Sequence, residues 1–339
     1  MAITNNTRSE MMKVVIAPEP GGPEALQIVE MDTPTPTGRE LLVAVKAAGV
    51  NRPDVMQRMG GYPPPPGASD VLGLEIAGEV IATGDNASRF SVGDRVFGLV
   101  ASGGYAEYAV IDERNALLAP AGADWATLGG IPETYFTVWT NMIQRGQLKE
   151  GEWVLIHGGS SGIGTTAIQI AKARGARVAI TAGSAEKCQK CLDLGADVAI
   201  NYKDEEFVGA LQQATNGHGF DLCLDMVGGD YVNRNLEAAA PGGRLVQIAL
   251  QAGPEATINV WQIMAKKLWF TGSTLRARSV EEKAEIAAEL ERSLMPLWEK
   301  GQCLPVIDSV YPFEQVVEAH RRMDAPHIGK VILSMEEGA

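Results

Sequence analysis

Beyond residue 152 the chain alternates short apolar runs with amphipathic stretches. Runs at 153–157, 177–181, 198–201, 221–226, 244–249 and 268–272 predict six strands, with helix-like segments between most of them. That alternation predicts an α/β unit built on a doubly wound parallel sheet. The first third differs: "ELLVAVKAAGVN", "LGLEIAGEVIATG", "VGDRVFGLV" and "GGYAEYAVI" are apolar runs broken by glycine and proline turns, the rhythm of a compact β-rich domain. After residue 274, "SVEEKAEIAAELERSLMPLWEKG" predicts a long amphipathic helix and "HIGKVILSM" a last strand. Because the parallel sheet is complete without them, this tail is expected to pack back on the first domain. The proline run 63–66 and the "ASGGY" turn are expected to border the mouth of a cleft.

Composition narrows the function classes. The 339 residues, 45% hydrophobic and 21% charged, suffice for two domains. With 42 acidic against 29 basic residues the formal charge is -13, and no run of lysines and arginines offsets it, so no nucleic-acid partner is expected. No apolar stretch approaches the roughly 20 residues that span a bilayer, and "MAITNNTRSEMMK" lacks the apolar segment of a secretory signal. A cytoplasmic chain without a membrane partner is expected.

Four cysteines do not make a disulfide framework. Cys188 and Cys191 form a CxxC inside a predicted helix, with no second pair at zinc-ribbon spacing, and are read as small residues on a surface helix. Cys223, in "FDLCLDMV", is read as core. His157, His218, His320 and His327 are scattered and read as strand, loop and surface histidines, not metal ligands.

The segment with the clearest chemistry is "WVLIHGGSSGIGTTAIQIAKARGARVAIT": a strand, a glycine-rich turn, a helix and a second strand at βαβ spacing. Such a turn sets a pyrophosphate against a helix N-terminus, where free N–H groups and the helix dipole favour negative charge. The GxGxxG frame falls on Gly159, Ser161 and Gly164, so its middle glycine is replaced, with Gly158 and Gly162 alongside. At the end of the second strand an NAD site offers an acid to the ribose 2′-hydroxyl. Here the chain reads "TAGSAEK", and Gly183 and Ser184 are followed by Lys187. A hydroxyl and an ammonium suit a 2′-phosphate, so NADPH is the expected cofactor.

Together with "GGPEALQIVE", "AAGVNRPDVMQRMGGYPPPPGAS", "LGLEIAGEV", "IPETYFTVW", "INYKDEEF" and "IGKVIL", these segments resemble the zinc-independent quinone oxidoreductase (zeta-crystallin) family of medium-chain dehydrogenase/reductases, most closely its p53-inducible type. The resemblance covers nearly the whole chain. It implies a GroES-like catalytic domain from residues 1–135 and 275–339, a Rossmann NADPH-binding domain from 136–274, a cleft between them, and a homodimer joined through the Rossmann sheets. It further implies that Ser161, Gly162, Ile163 and Gly164 line the pyrophosphate and nicotinamide side, and that Gly183, Ser184, Lys187 and Tyr202 surround the 2′-phosphate. Zinc-dependent cousins carry cysteine and histidine where Asn51 and Leu74 stand here, so no catalytic metal is expected. By the same analogy Asn51 would donate a hydrogen bond to a substrate oxygen and Tyr62 would stack on or hydrogen-bond to the substrate ring.

The implied reaction is transfer of reducing equivalents from NADPH to a quinone, possibly an ortho-quinone. Reduction of a 2-enoyl or 2-alkenal double bond on the same scaffold stays open, as does a non-enzymatic cofactor-binding role. A short-chain dehydrogenase would need a tyrosine followed four residues later by lysine, and none of the seven tyrosines has one.

Overall fold

A computed structural model describes residues 11–336; the N-terminal segment read for a secretory signal lies outside the described residues except for its last three. A short antiparallel pair, β1 (Met11–Ile16) and β2 (Gln27–Asp32), precedes the 11-residue β3 (Glu40–Val50). Helix α1 (Arg52–Arg58) follows, then β4 (Glu75–Thr83), β5 (Arg95–Leu99), β6 (Tyr108–Asp112) and β7 (Ala116–Leu118). These strands curl into one sheet in which β3 pairs antiparallel with both β4 and β6. Leu41, Val43, Ile76, Val80 and Val96 fill its interior, while Ala77 and Phe97, one position on from Ile76 and Val96, enter the other core cluster, as the two-residue strand period requires. Two helices lead out of this domain: α2 (Trp125–Gly129), capped by Asp124, and α3 (Pro132–Val138), which runs on into a wider π-helical turn, Trp139–Arg145.

The second sheet is wholly parallel. Its strands β8 (Trp153–His157), β9 (Arg177–Ala182), β10 (Val198–Asn201), β11 (Phe220–Asp225), β12 (Ala239–Gln247) and β13 (Trp269–Gly272) lie in the order β10-β9-β8-β11-β12-β13. Helices α4 (Gly162–Ala173), α5 (Ala185–Asp193), α6 (Phe207–Ala214), α7 (Tyr231–Ala238) and α8 (Val260–Lys266) connect them. In β8, Val154 and Ile156 enter the core on one face while Trp153 and Leu155 enter the core on the other. Burying each such side chain contributes about 1.5–3 kcal/mol, which is why the strand reads as an unbroken apolar run. The strand order reverses between β8 and β11, so a crevice opens at their carboxyl ends.

All six predicted strands are present. β12 starts five residues earlier than its apolar run, because Ala239 already pairs with Phe220 before the register shifts near Pro241, Gly242 and Gly243. The tail then forms α9 (Val280–Trp298), β14 (Ile307–Pro312), α10 (Val316–Asp324) and β15 (Lys330–Ser334). β15 pairs antiparallel with β3, returning the chain to the first sheet as expected. α9, begun by the Ser279–Glu282 capping box, packs on the first domain, where its Trp298 ring stands edge-on to Phe97 at 5.7 Å and to Tyr135 at 5.4 Å, and also reaches the second half, where Trp139 Nε1 donates to Glu289 Oε2 at 2.6 Å.

Two expectations need correction. Cys188 and Cys191 are on the inner face of α5, not its surface, because their i,i+3 spacing turns both toward the sheet. His320 is not a surface residue but fully buried on α10, where Arg58 Nη1 lies 3.2 Å from its Nδ1. Cys223 is core, as read. Among the described residues no helix is long and apolar enough to cross a membrane, and no three His, Cys, Asp or Glu side chains are grouped to hold a metal ion.

Candidate active site

β8 ends at His157, and the chain turns through Gly158 at φ 69°. A Cβ on Gly159 would lie 2.6 Å from Ile180 Cβ, and one on Gly164 would lie 2.3 Å from Gly158 O. Helix α4 therefore starts pressed against its own entry turn, an approach that glycine permits. Ser161, where the motif's middle glycine is missing, turns its side chain back on the turn: Oγ accepts from Gly164 N at 3.0 Å and donates to Gly158 O at 2.8 Å. The serine thus caps the helix without projecting over it. The parallel bridge between Ser161 and Gly329 engages the N–H of Gly162, while that of Ile163 finds no acceptor among the described residues and stands as a donor at the positive end of α4. This cradle fits the pyrophosphate of a dinucleotide.

The tip of β9 gathers the other predicted cofactor residues. Ser184 caps α5 by accepting from Lys187 N at 3.3 Å, and a Cβ on Gly183 would lie 2.5 Å from the Tyr202 hydroxyl. Tyr202 itself is 46% exposed, so its phenol is available to a ligand. Asp204 beyond it is engaged by the Asn201 side chain.

Beneath the turn runs a buried polar chain that the sequence reading missed. His157 Nδ1 lies 2.9 Å from Thr181 Oγ1 and its Nε2 2.7 Å from Asn235 Oδ1, while Asn235 Nδ2 donates to Asp225 Oδ2 at 3.0 Å. Since the Asn235 amide gives its hydrogen to Asp225, its oxygen must accept, which places the imidazole proton on Nε2. Burial holds His157 below the ordinary histidine range, in keeping with a neutral ring. Asp225 Oδ1 also accepts from Val227 N at 2.6 Å, fixing the loop after β11 beside the glycine turn.

The opposite wall is charged. Lys330 Nζ donates to Asn51 Oδ1 at 2.6 Å and pairs with Glu75 Oε1 at 2.5 Å; both partners of the ion pair are buried. Asn51 Nδ2 donates to Glu75 Oε1 at 2.7 Å and to Gly49 O at 3.3 Å. Asn51 could therefore donate to a substrate oxygen only by giving up one of these acceptors. Glu75 Oε2 takes the backbone N–H of Glu133 at 2.8 Å. Asp54 accepts from Asn51 N at 2.8 Å and from the Tyr105 hydroxyl at 3.0 Å, and burial raises it to about 6.

The two walls meet where β15 begins: Gly329 N donates to Ser160 O at 2.9 Å, and a Cβ on Gly162 would lie 2.7 Å from Lys330 Cδ. Tyr62 stands farther out, with the Arg276 guanidinium 5.5 Å from its ring centre. Arg276 donates to the carbonyls of Ala101 at 2.8 Å and Tyr62 at 3.2 Å and to Gln57 Oε1 at 2.7 Å, tying the two expected mouth segments together. Glu75, Glu133 and Lys330 did leave a trace in the sequence, as charges inside the otherwise apolar segments "LGLEIAGEV", "IPETYFTVW" and "IGKVIL"; Arg276, in "STLRARS", left none.

Comparison with known proteins agrees with this architecture. Residues 37–121 match the alcohol dehydrogenase GroES-like domain and residues 162–292 the zinc-binding dehydrogenase family. The human quinone oxidoreductase is 34% identical over 331 residues, covering 96% of this chain and 99% of its own length. Among solved structures, the Escherichia coli quinone oxidoreductase complexed with NADPH superposes with a TM-score of 0.84 at 29% identity, covering 95% of this chain and 99% of that one. The CurK enoyl reductase does so with a TM-score of 0.83 at 26% identity, covering 96% and 100%. With a capped glycine turn for an NAD(P)-type cofactor and a charged cleft against it, this oxidoreductase belongs to the quinone oxidoreductase family of the medium-chain dehydrogenase/reductases.

Proposed function

We propose that the chain is an NADPH-dependent quinone oxidoreductase that works without zinc. The observation that carries the reading is the contact of Gly162 with Lys330, which sets the anion-binding turn directly against the buried Lys330–Glu75–Asn51 network, with the Glu133 N–H bound to the same carboxylate. The bound dinucleotide would supply a hydride; the protein's part is position and a partly dry, polar cleft. Gly159, Ser161, Gly162, Ile163 and Gly164 would hold its pyrophosphate and nicotinamide side, and Gly183, Ser184, Lys187 and Tyr202 its 2′-phosphate. Tyr62, its ring backed by Arg276, would orient the acceptor. Asn51 would serve chiefly by holding Lys330 and Glu75 in register beside the cofactor turn.

The domain division follows: residues 1–135 and 275–339 for the substrate, 136–274 for the cofactor. A cytoplasmic homodimer completes the reading. At the open edge of the parallel sheet, Trp269 of β13 is 72% exposed, and Trp261 and Met264 on the preceding helix α8 are exposed as well. A second copy would cover them.

A second reading, reduction of 2-enoyl or 2-alkenal double bonds, is favoured by the likeness to the CurK enoyl reductase. The deciding experiment follows NADPH consumption with an ortho-quinone, a 2-enoyl thioester and an alkenal, with NADH as control. Turnover of the quinone with NADPH supports the proposal. Turnover of the alkenes alone replaces it with the second reading, and NADPH binding without turnover replaces both with a non-enzymatic role.

A further inference from the structure

We infer that the side chain of Glu133 is the proton donor to the substrate oxygen in this cleft, an assignment that rests on the oxidoreductase reading above. Glu133 sits in the first turn of α3, one residue before Thr134, whose Cγ2 would lie 3.3 Å from a Cβ on Gly162. Glu133 lines a narrow recess with Leu74, Leu99, Val100, Leu275, Arg276 and Lys283, residues from the two chain ends that form the substrate domain.

What distinguishes this carboxyl is its lack of a partner. Three cations stand around it, and each directs its hydrogens elsewhere. Lys330 donates to Asn51 and Glu75, Lys283 to Arg276 O at 2.9 Å, and Arg276 to Ala101, Tyr62 and Gln57. No hydrogen bond reaches the Glu133 carboxyl from any described residue. Glu75 on β4 and Asp54 on α1 add negative charge from the other side, and Tyr62 faces it from the loop after α1. Burial first and Glu75 second raise Glu133 to about 8, against the pull of Lys330 and Lys283. A carboxyl that is neutral near pH 7 carries a hydrogen it can give away.

The step balances without a further reactant. Hydride addition to a carbonyl or conjugated acceptor leaves an electron pair and negative charge on the acceptor oxygen. The Glu133 O–H bond breaks as the new O–H bond forms, and the carboxylate left behind regains its proton from solvent. The reducing equivalents come from the reduced dinucleotide of the reading above, and the chain's oxidation state does not change.

The test uses the full chain and the variants E133Q and E133D. Because the carboxyl makes no bond, both variants should fold, which circular dichroism and melting temperature verify. An infrared titration of the protein without cofactor should show a protonated-acid carbonyl band that disappears through about pH 8 in the wild type and is missing from E133Q. With an ortho-quinone and NADPH, kcat should fall about 100-fold in E133Q with KM little changed, and E133D should recover part of it. The wild-type loss of kcat above about pH 8 should vanish in E133Q. An infrared band showing Glu133 ionised at neutral pH, or an active wild type whose kcat and alkaline limb survive in E133Q, overturns the assignment alone. A wild type inert toward every acceptor overturns the oxidoreductase reading and the donor role with it.

Discussion

Two buried polar networks flank the cofactor turn, and they are built on opposite principles. The chain Thr181–His157–Asn235–Asp225 joins residues 24, 78 and 10 positions apart, all within the parallel-sheet domain, and ends in backbone N–H groups of the loop after β11. The Lys330–Asn51–Glu75 network joins residues 279 and 255 positions apart, two of them charged, from opposite ends of the chain. In the first, the imidazole is neutral and the one carboxylate, Asp225, accepts from Asn235 Nδ2 and from the N–H groups of Val227 and Gly228. In the second, desolvation of Lys330 and Glu75 is offset by their mutual attraction and by the Asn51 hydrogen bonds. The first behaves as a fixed floor for the glycine turn; the second ties the two chain ends that form the substrate domain together beside that turn.

The comparison breaks most visibly at Lys330. Lys330→Met leaves Glu75 buried and unpaired, and should lower unfolding stability in urea by about 3–5 kcal/mol, most of it recovered in the Lys330→Met/Glu75→Met double variant. Asn235→Leu strands the His157 N–H and one Asp225 oxygen, so a loss of about 1–3 kcal/mol is expected by the same measurement. Should the His157 network cost more than the Lys330–Glu75 pair, the contrast drawn above is wrong.

Smaller changes sharpen the contrast at the cofactor. In Gly164→Ala the new methyl meets Gly158 O, and calorimetric affinity for NADPH should weaken by about tenfold, or ~1.4 kcal/mol, as the turn is pushed out of place. Lys187→Ala should weaken NADPH by about 1 kcal/mol and leave NADH unchanged, since only one of them carries a 2′-phosphate.

The smallest effect is in the pH dependence of stability. Burial holds His320 at about 3 in the folded chain, below its unfolded value of 6.5, so the unfolded state takes the proton first. Stability is complete above pH 6.5 and declines as pH falls toward 3; His320→Asn should flatten that decline in denaturant melts read across the same window.

Much of the parallel-sheet domain was legible in the chain because its determinants are local. The runs 153–157, 177–181 and 198–201 recur as strands within a residue, since strands buried on both faces must be apolar throughout. β12 departs from this because its first turn of pairing runs through Pro241, Gly242 and Gly243, which carry no apolar signal. The site on the other wall was only half legible. Asn51 and Tyr62 were named through resemblance, yet nothing in the sequence pointed to the groups that engage them, Glu75, Lys330 and Arg276, as their partners.

By itself the sequence determined the six-stranded sheet, the glycine turn and the absence of an acid at the tip of β9, because each depends on residues within a few positions of one another. Tertiary structure decided that Cys188 and Cys191 face inward, that His157 at the end of β8 is a neutral link in a buried chain, and that Lys330 closes on Glu75 beside Gly162. Those outcomes depend on which distant segments share a low-dielectric interior. There an unpaired charge is costly, and partners are selected by packing, whatever their distance along the chain.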